Sequence, residues 1–297
     1  MRGIFNLFKA TFLLLWGTLS LYALEGFVQP KELYNLLDDP ELVVLDLSSK
    51  ENYTRSHISH ALHLDPDRLV VTKEGYPTLA PKEEFHEIFR KLALKPSSKI
   101  VLYTRNTQED FRNASLGALA LLSYGFENVA ILDGGYLAWA FENPLLISSQ
   151  KTSLPEQNDK LYEQKHSFVE HDITEEAQTV LLDVRPSEVY FGITPSQGLS
   201  DAGHIPHAIN IPLLYNLRQD RTLLEKEALL ELYKNGLGLD KEEKITLYGE
   251  SLLDAAWSWF VLYKHLGFTH TKIYAKGVQG WIQNPANELR RYKWEMK

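Results

Sequence analysis

An α/β protein built from two rhyming domains, each a parallel β-sheet covered by helices on both faces, is what this sequence predicts. Three observations carry that expectation. The chain has 297 residues, more than one core usually needs and close to two domains of roughly 150 residues each. It repeats itself after an interval of about 140 residues, and such self-similarity decides the architecture before any local reading does. Short apolar runs alternate with segments of helical periodicity, a pattern that calls for parallel strands with helical crossovers on both sides.

In chain order, residues 1–23 come first. Arg2 and Lys9 precede the uncharged run ATFLLLWGTLSLYAL, with Ala23 near its end. Basic residues followed by a short apolar core and a small residue are the layout of a secretory signal. The run is shorter than the ~20 apolar residues that span a bilayer. The expectation is therefore export to a periplasmic or other extracytoplasmic space, with no stable membrane span after cleavage at Ala23; the alternative is an uncleaved anchor.

The first domain is expected over residues 24–146 and the second over 167–297. ELVVLDLSSKENYTRSHISHALHLD (41–65) returns as QTVLLDVRPSEVYFGITPSQGLSDAGHIPHAINIP (178–212), pairing Asp46 with Asp183 and Tyr53 with Tyr190. In the same segments His57 and His60 pair with His204 and His207, and the second copy carries ten extra residues near 192–201. KIVLYTRNTQED (99–110) returns as KITLYGESLLDA (244–255), and GFENVAILDGGYLAW (125–139) as GFTHTKIYAKGVQGW (267–281). Between the strands, KEEFHEIFRKLAL and EKEALLELYKNGL read as helices. Residues 147–166 are polar and contain Pro155, which reads as an exposed linker.

Composition narrows the function classes. Apolar residues make up 44% and charged residues 24% of the chain, an ordinary globular balance. A net charge of −8 argues against a nucleic-acid partner, which needs clustered Lys and Arg. The locally basic tail, Arg290, Arg291, Lys293 and Lys297, reads as the solvated end of a C-terminal helix. The chain has no cysteine, which excludes disulfides and thiolate metal sites even in an oxidising compartment.

The segments LLDVRPSEVY (181–190), GHIPHAINIP (203–212), LYGESLLDAA (247–256) and GVQGW (277–281) together resemble the tandem rhodanese-domain sulfurtransferases of the thiosulfate and mercaptopyruvate type. The resemblance covers nearly all of the chain beyond residue 23, and the four segments occur in the family's order in both copies. Two departures stand out. The family commonly has glycine where His60 and His207 stand, and the first copy has Leu47-Ser48 where the second has Val184-Arg185.

The resemblance implies a six-residue loop after the fourth strand of the second domain, opening with a cysteine that carries sulfur as a persulfide. Loop N–H groups and a helix N-terminus would depress the thiol pKa and hold the anion. Alignment puts Gly249 at the cysteine and makes the degenerate loop Gly249, Glu250, Ser251, Leu252, Leu253 and Asp254. Thr104 takes the same place in the first copy. Neither residue can form a persulfide, since glycine has no side chain and a hydroxyl cannot hand on sulfur. Asp183, Arg185 and His204 are the candidate pocket neighbours.

The loop acids add a second expectation. At an effective dielectric near ~20, one carboxylate about 5 Å from a substrate anion costs roughly 3 kcal/mol before screening. Glu250 and Asp254 would then repel the family's anionic substrates, unless they serve only to favour a helix N-terminus. The first loop mixes Arg105 and Arg112 with Glu109 and Asp110 and reads as an exposed turn with local ion pairs. His57, His60 and His63 recur in part in the second copy and read as scaffold residues rather than metal ligands, so no metal or other cofactor is expected. Asp46 and Asp183 read as hydrogen-bond anchors at strand ends.

Two function classes follow. One is an exported, catalytically degenerate rhodanese-like protein that binds an envelope protein or a small ligand. The alternative is a sulfurtransferase-related enzyme handling sulfane sulfur with a thiol supplied by a partner.

Overall fold

The computed structural model describes residues 23–157, 161–173, 179–196 and 202–296. The export signal expected over 1–23 lies almost wholly outside them. Two five-stranded parallel sheets form the framework. The first runs in the spatial order Phe27–Val28, Val129–Leu132, Lys99–Tyr103, Leu42–Asp46, Leu62–His63. The second repeats that order with Val169–Glu170, Thr271–Tyr274, Lys244–Tyr248, Thr179–Asp183 and Ile209–Asn210. Registers match as well: Asp46 lies opposite Tyr103, and Asp183 opposite Tyr248. The central strands of the first sheet are largely apolar runs because both their faces are covered.

The domains share one core. Helix Asn113–Ser123 of the first domain is buried from Ala114 through Ser123, as a helix apolar on all sides must be. It packs against helix Leu252–Phe260 of the second domain. Phe27 meets the rings of Trp257 and Phe260 edge-on at 5.5 and 5.4 Å, and Phe111 meets Trp257 at 5.2 Å. The apolar cluster is continuous across both domains.

Two segments differ from the sequence expectation. Most described residues of 147–166 are exposed, but Ile147–Ser148 pairs with His57–Ile58 as a short antiparallel strand. Tyr162 is buried against Phe89 and Phe126, its hydroxyl donating to the Leu94 carbonyl. One aromatic ring offers more buried area than its polar neighbours can outweigh. The described part of the basic tail, through residue 296, is not a helix end but a strap. His204 and Arg290 exchange backbone hydrogen bonds of 2.9 Å, Arg291 donates to the Ala202 carbonyl, and Arg290 pairs with Glu295 at 2.7 Å.

Candidate functional site

Gly249 follows directly on the strand Lys244–Tyr248, at the carboxyl end of the sheet where α/β domains hold ligands. The six-residue loop expected there is not formed. Helix Leu252–Phe260 begins three residues after Gly249, so Leu252, Leu253 and Asp254 are its first turn and only Gly249, Glu250 and Ser251 are loop. The cause is a capping box. Ser251 is the N-cap, and its N–H and hydroxyl both donate to Asp254 Oδ2, at 3.2 and 3.1 Å. Leu252 is fully buried in the shared core, which anchors the early helix start.

Gly249 itself has no room for a side chain. A Cβ there would stand 2.7 Å from the Asp254 Cβ and 3.2 Å from Val184 Cγ2. Behind it, Gly277 at φ +56° brings the GVQGW turn so close that a Cβ would lie 2.6 Å from the Gly249 carbonyl oxygen. Gly135 approaches the Thr104 carbonyl in the same way in the first domain, with 2.5 Å to an added Cβ. The repeat therefore extends to the packing behind each nucleophile position.

The two loop acids are not an unbalanced negative pair. Asp254 forms an ion pair with Arg112, which crosses from the first domain, so Arg112 is an interdomain partner rather than part of a local turn. Glu250 is half-buried. Burial pushes its carboxyl up, while the Arg185 guanidinium and the Ser196 hydroxyl pull it back. Asp254 thus has a cation of its own, whereas the Arg185 charge near Glu250 is shared with Asp183.

Asp183, Arg185 and His204 lie beneath the loop and are wholly buried. Arg185 Nε donates to both Asp183 oxygens, at 2.9 and 3.1 Å, Nη1 donates to Ser196 at 2.7 Å, and Nη2 to the Gly203 carbonyl at 2.9 Å. Burial alone lowers the guanidinium pKa, but Asp183 more than reverses this and leaves it raised. The Tyr248 hydroxyl donates to Asp183 at 2.7 Å and accepts from the Ile205 N–H at 3.1 Å. Burial, then the Asp183 charge, drives the Tyr248 pKa well up. A fully paired buried network of this kind fixes geometry and leaves little to offer a ligand. His204 stacks on Tyr190 at 3.7 Å and engages the Tyr190 carbonyl through Nδ1 at 2.9 Å, and burial lowers its pKa.

The first domain answers the same problems differently. Ser48 stands where Arg185 does, and it donates N–H and hydroxyl to Asp46 Oδ1 at 2.8 and 2.5 Å. The arginine comes instead from the position of Glu250: Arg105 lies over the Tyr136 ring at 3.8 Å. Nine residues, Thr104 to Arg112, precede the helix at Asn113. Their N–H groups converge on Asp110, whose Oδ2 accepts from Arg105 N at 2.9 Å and whose Oδ1 accepts from Thr107 N and Oγ1 at 2.9 and 3.1 Å. Burial raises the Asp110 carboxyl, and those donors lower it. This loop is a backbone nest holding its own carboxylate, not the exposed turn with local ion pairs expected of it.

Sequence reasoning missed Tyr103 and Tyr248, although both end the repeated strands KIVLY and KITLY. The departure at His60 and His207 is also explained. Both are left-handed, at φ 67° and 66°, a conformation that favours glycine and that histidine adopts more readily than most residues.

A rhodanese-like domain model matches residues 29–142 and again 169–284. The chain is 27% identical over 279 residues to the sulfur carrier protein TtuD of Thermus thermophilus, covering 86% of this chain and 95% of that one. It is 24% identical over 268 residues to a thiosulfate sulfurtransferase of Azotobacter vinelandii, covering 87% and 94%. Among solved structures, YnjE aligns with a TM-score of 0.76 at 16% identity over 91% of this chain and 69% of that one, a likeness of fold. The chain belongs to the rhodanese-like domain family, as a tandem member of the sulfurtransferase type that lacks the catalytic cysteine.

Proposed function

We propose that this is an exported rhodanese-like protein that has given up sulfur transfer and acts by binding an envelope protein or a small ligand. One observation carries the reading: the position of the sulfur-bearing residue is a glycine with no space for a side chain, followed by a helix cap instead of an anion-holding loop. The relatives' names describe carrying or transferring sulfur, and in this chain either task would need a thiol that it does not have. The test is incubation of the purified chain with thiosulfate, followed by intact-mass measurement and a cyanide assay. The reading predicts no added sulfur and no thiocyanate above a protein-free control. Turnover that persists after contaminating sulfurtransferases are removed would overturn it. Export has its own test: the chain recovered from envelope fractions should begin at Leu24, and recovery of the intact Met1 form from the cytosol would refute it.

A further inference from the structure

The two repeats treat one outward helix face in opposite ways. After the strand Val129–Leu132 the chain makes a Gly-rich turn into helix Gly135–Glu142, which buries Tyr136 and Trp139 against the first sheet. On its outer side Leu137 and Phe141, one turn apart, are 58% and 89% exposed, and Leu145 just past the helix is 94% exposed. Counted from the tryptophan of each repeat, Trp139 and Trp281, the second domain has Gln279 in place of Leu137 and Gln283 in place of Phe141. Single exposed apolar residues are ordinary. Three on one short segment, where Glu142 is the only charge between residues 137 and 147, make a patch of the kind that marks a contact surface.

The entry of the chain supplies the second observation. The uncharged run ATFLLLWGTLSLYAL ends at Leu24, and Leu24 is buried in the same apolar cluster as Tyr136 and Trp139, with Ala140 packed against it. No spacer separates the run from the fold. Helix Gly135–Glu142 starts at the carboxyl ends of the strands, where the Tyr136 N–H donates to the Thr104 carbonyl. From there it returns toward their amino ends: Leu42, the first residue of its strand, lines one cavity with Trp139 and Leu146. Leu24 enters at those amino ends, just ahead of Phe27–Val28. The apolar run and the exposed patch therefore meet at one end of the first domain.

We infer that this end of the first domain docks on a lipid bilayer, with Leu137, Phe141 and Leu145 entering its interfacial layer. A chain that keeps the run is tied to the membrane by the residues next to Leu24, which brings this face to the lipid. A chain processed at Ala23 has no residues 1–22 to cover the patch, and the same face makes a reversible contact. Apolar insertion drives the docking, because a chain of net charge −8 gains nothing from anionic headgroups. The inference goes beyond the loss of sulfur transfer and does not depend on it.

The chain has no cysteine, so an introduced one carries a single label. Glu142→Cys, beside the patch, and Tyr215→Cys, exposed in the second domain, each receive a nitrobenzoxadiazole dye, in the full chain and in the form beginning at Leu24. With phosphatidylcholine vesicles the label at 142 should brighten at least about twofold and be quenched by doxyl groups on the lipid, as apolar side chains beside it enter the interface. The label at 215 should change little. The unlabelled Leu24 form should sediment with the vesicles, and Leu137→Gln/Phe141→Gln/Leu145→Gln should lower its partition coefficient at least about tenfold. Leu214→Gln/Tyr215→Gln, which removes exposed apolar side chains elsewhere, should change it less than about twofold. Adding phosphatidylglycerol to the vesicles should not raise it. Equal responses of the two labels, unchanged partition of the triple variant, or binding only to anionic vesicles would overturn the inference. So would a dimer that the triple variant abolishes while vesicles leave the label at 142 dark, since the face would then belong to a second copy.

Discussion

The two strand-end loops began from one repeat and have reached opposite solutions. After Thr104 the chain keeps nine residues before its helix and turns the N–H groups of Arg105 and Thr107 inward onto Asp110. After Gly249 it keeps three, and Ser251 and Asp254 start the helix at once. In both, an aspartate of the chain itself takes the donors that could have held an outside anion. The difference teaches that loss of a catalytic residue and loss of a catalytic loop are separate events. The first loop retains a cradle around an internal carboxylate, whereas the second has become a helix cap.

The largest contrast should come from the buried carboxylates beneath the loops. Asp183→Asn breaks a pair in which both side chains are fully buried, and removing one partner of such a pair costs about 3 to 5 kcal/mol. Asp46→Asn should cost less than about 1.5 kcal/mol, because an amide oxygen can still accept from Ser48. Urea unfolding of the two variants checks this, and equal costs would break the distinction between a paired and a hydrogen-bonded anchor.

The loops themselves give a smaller contrast. Asp110→Ala leaves two backbone N–H groups and a hydroxyl without their acceptor and should cost about 2 to 3 kcal/mol. Asp254→Ala removes a capping box and should cost about 1 to 2 kcal/mol. Arg112→Ala should cost less than about 1 kcal/mol, since the Arg112 side chain is 28% exposed. An Arg112 effect as large as that of Asp110 would show that the interdomain ion pair, rather than the first nest, holds the mouth together.

A further contrast is the pH dependence of the domain contact. His265 packs against Phe27 and Gly26, and burial, then Lys226, lowers its pKa to about 4. Between that value and the unperturbed ~6.5 the unfolded chain binds the extra proton, so stability rises with pH through this window and is lost as pH falls. Unfolding midpoints from pH 4 to 7 should show a slope that His265→Leu reduces. An unchanged slope would remove His265 from the account.

Much of the architecture was legible because its signals are local and repeated. KIVLY and KITLY mark paired strands, and Gly249 stands at the end of one of them. The helix start at Leu252 was written in Ser251-x-x-Asp254, yet alignment to a six-residue loop hid it, because a cap and a loop differ in backbone and not in composition. Arg112 and Asp254 lie 142 residues apart, and no periodicity links them. The anchoring of Tyr162 depends on a pocket between Phe89 and Phe126 that exists only after folding.

The central claim is that the second loop has been rebuilt and does not merely lack its thiol. Gly249→Cys tests it most directly, read by intact mass after thiosulfate and by thiocyanate release. The account predicts a fold destabilised by about 1 to 3 kcal/mol through overpacking against Asp254, with a thiol that titrates with a small disulfide reagent but neither retains sulfur from thiosulfate nor turns over. A variant that takes up one sulfur atom and transfers it to cyanide at a rate well above that of free cysteine would contradict the account, since it would mean that the anion-holding loop is still there.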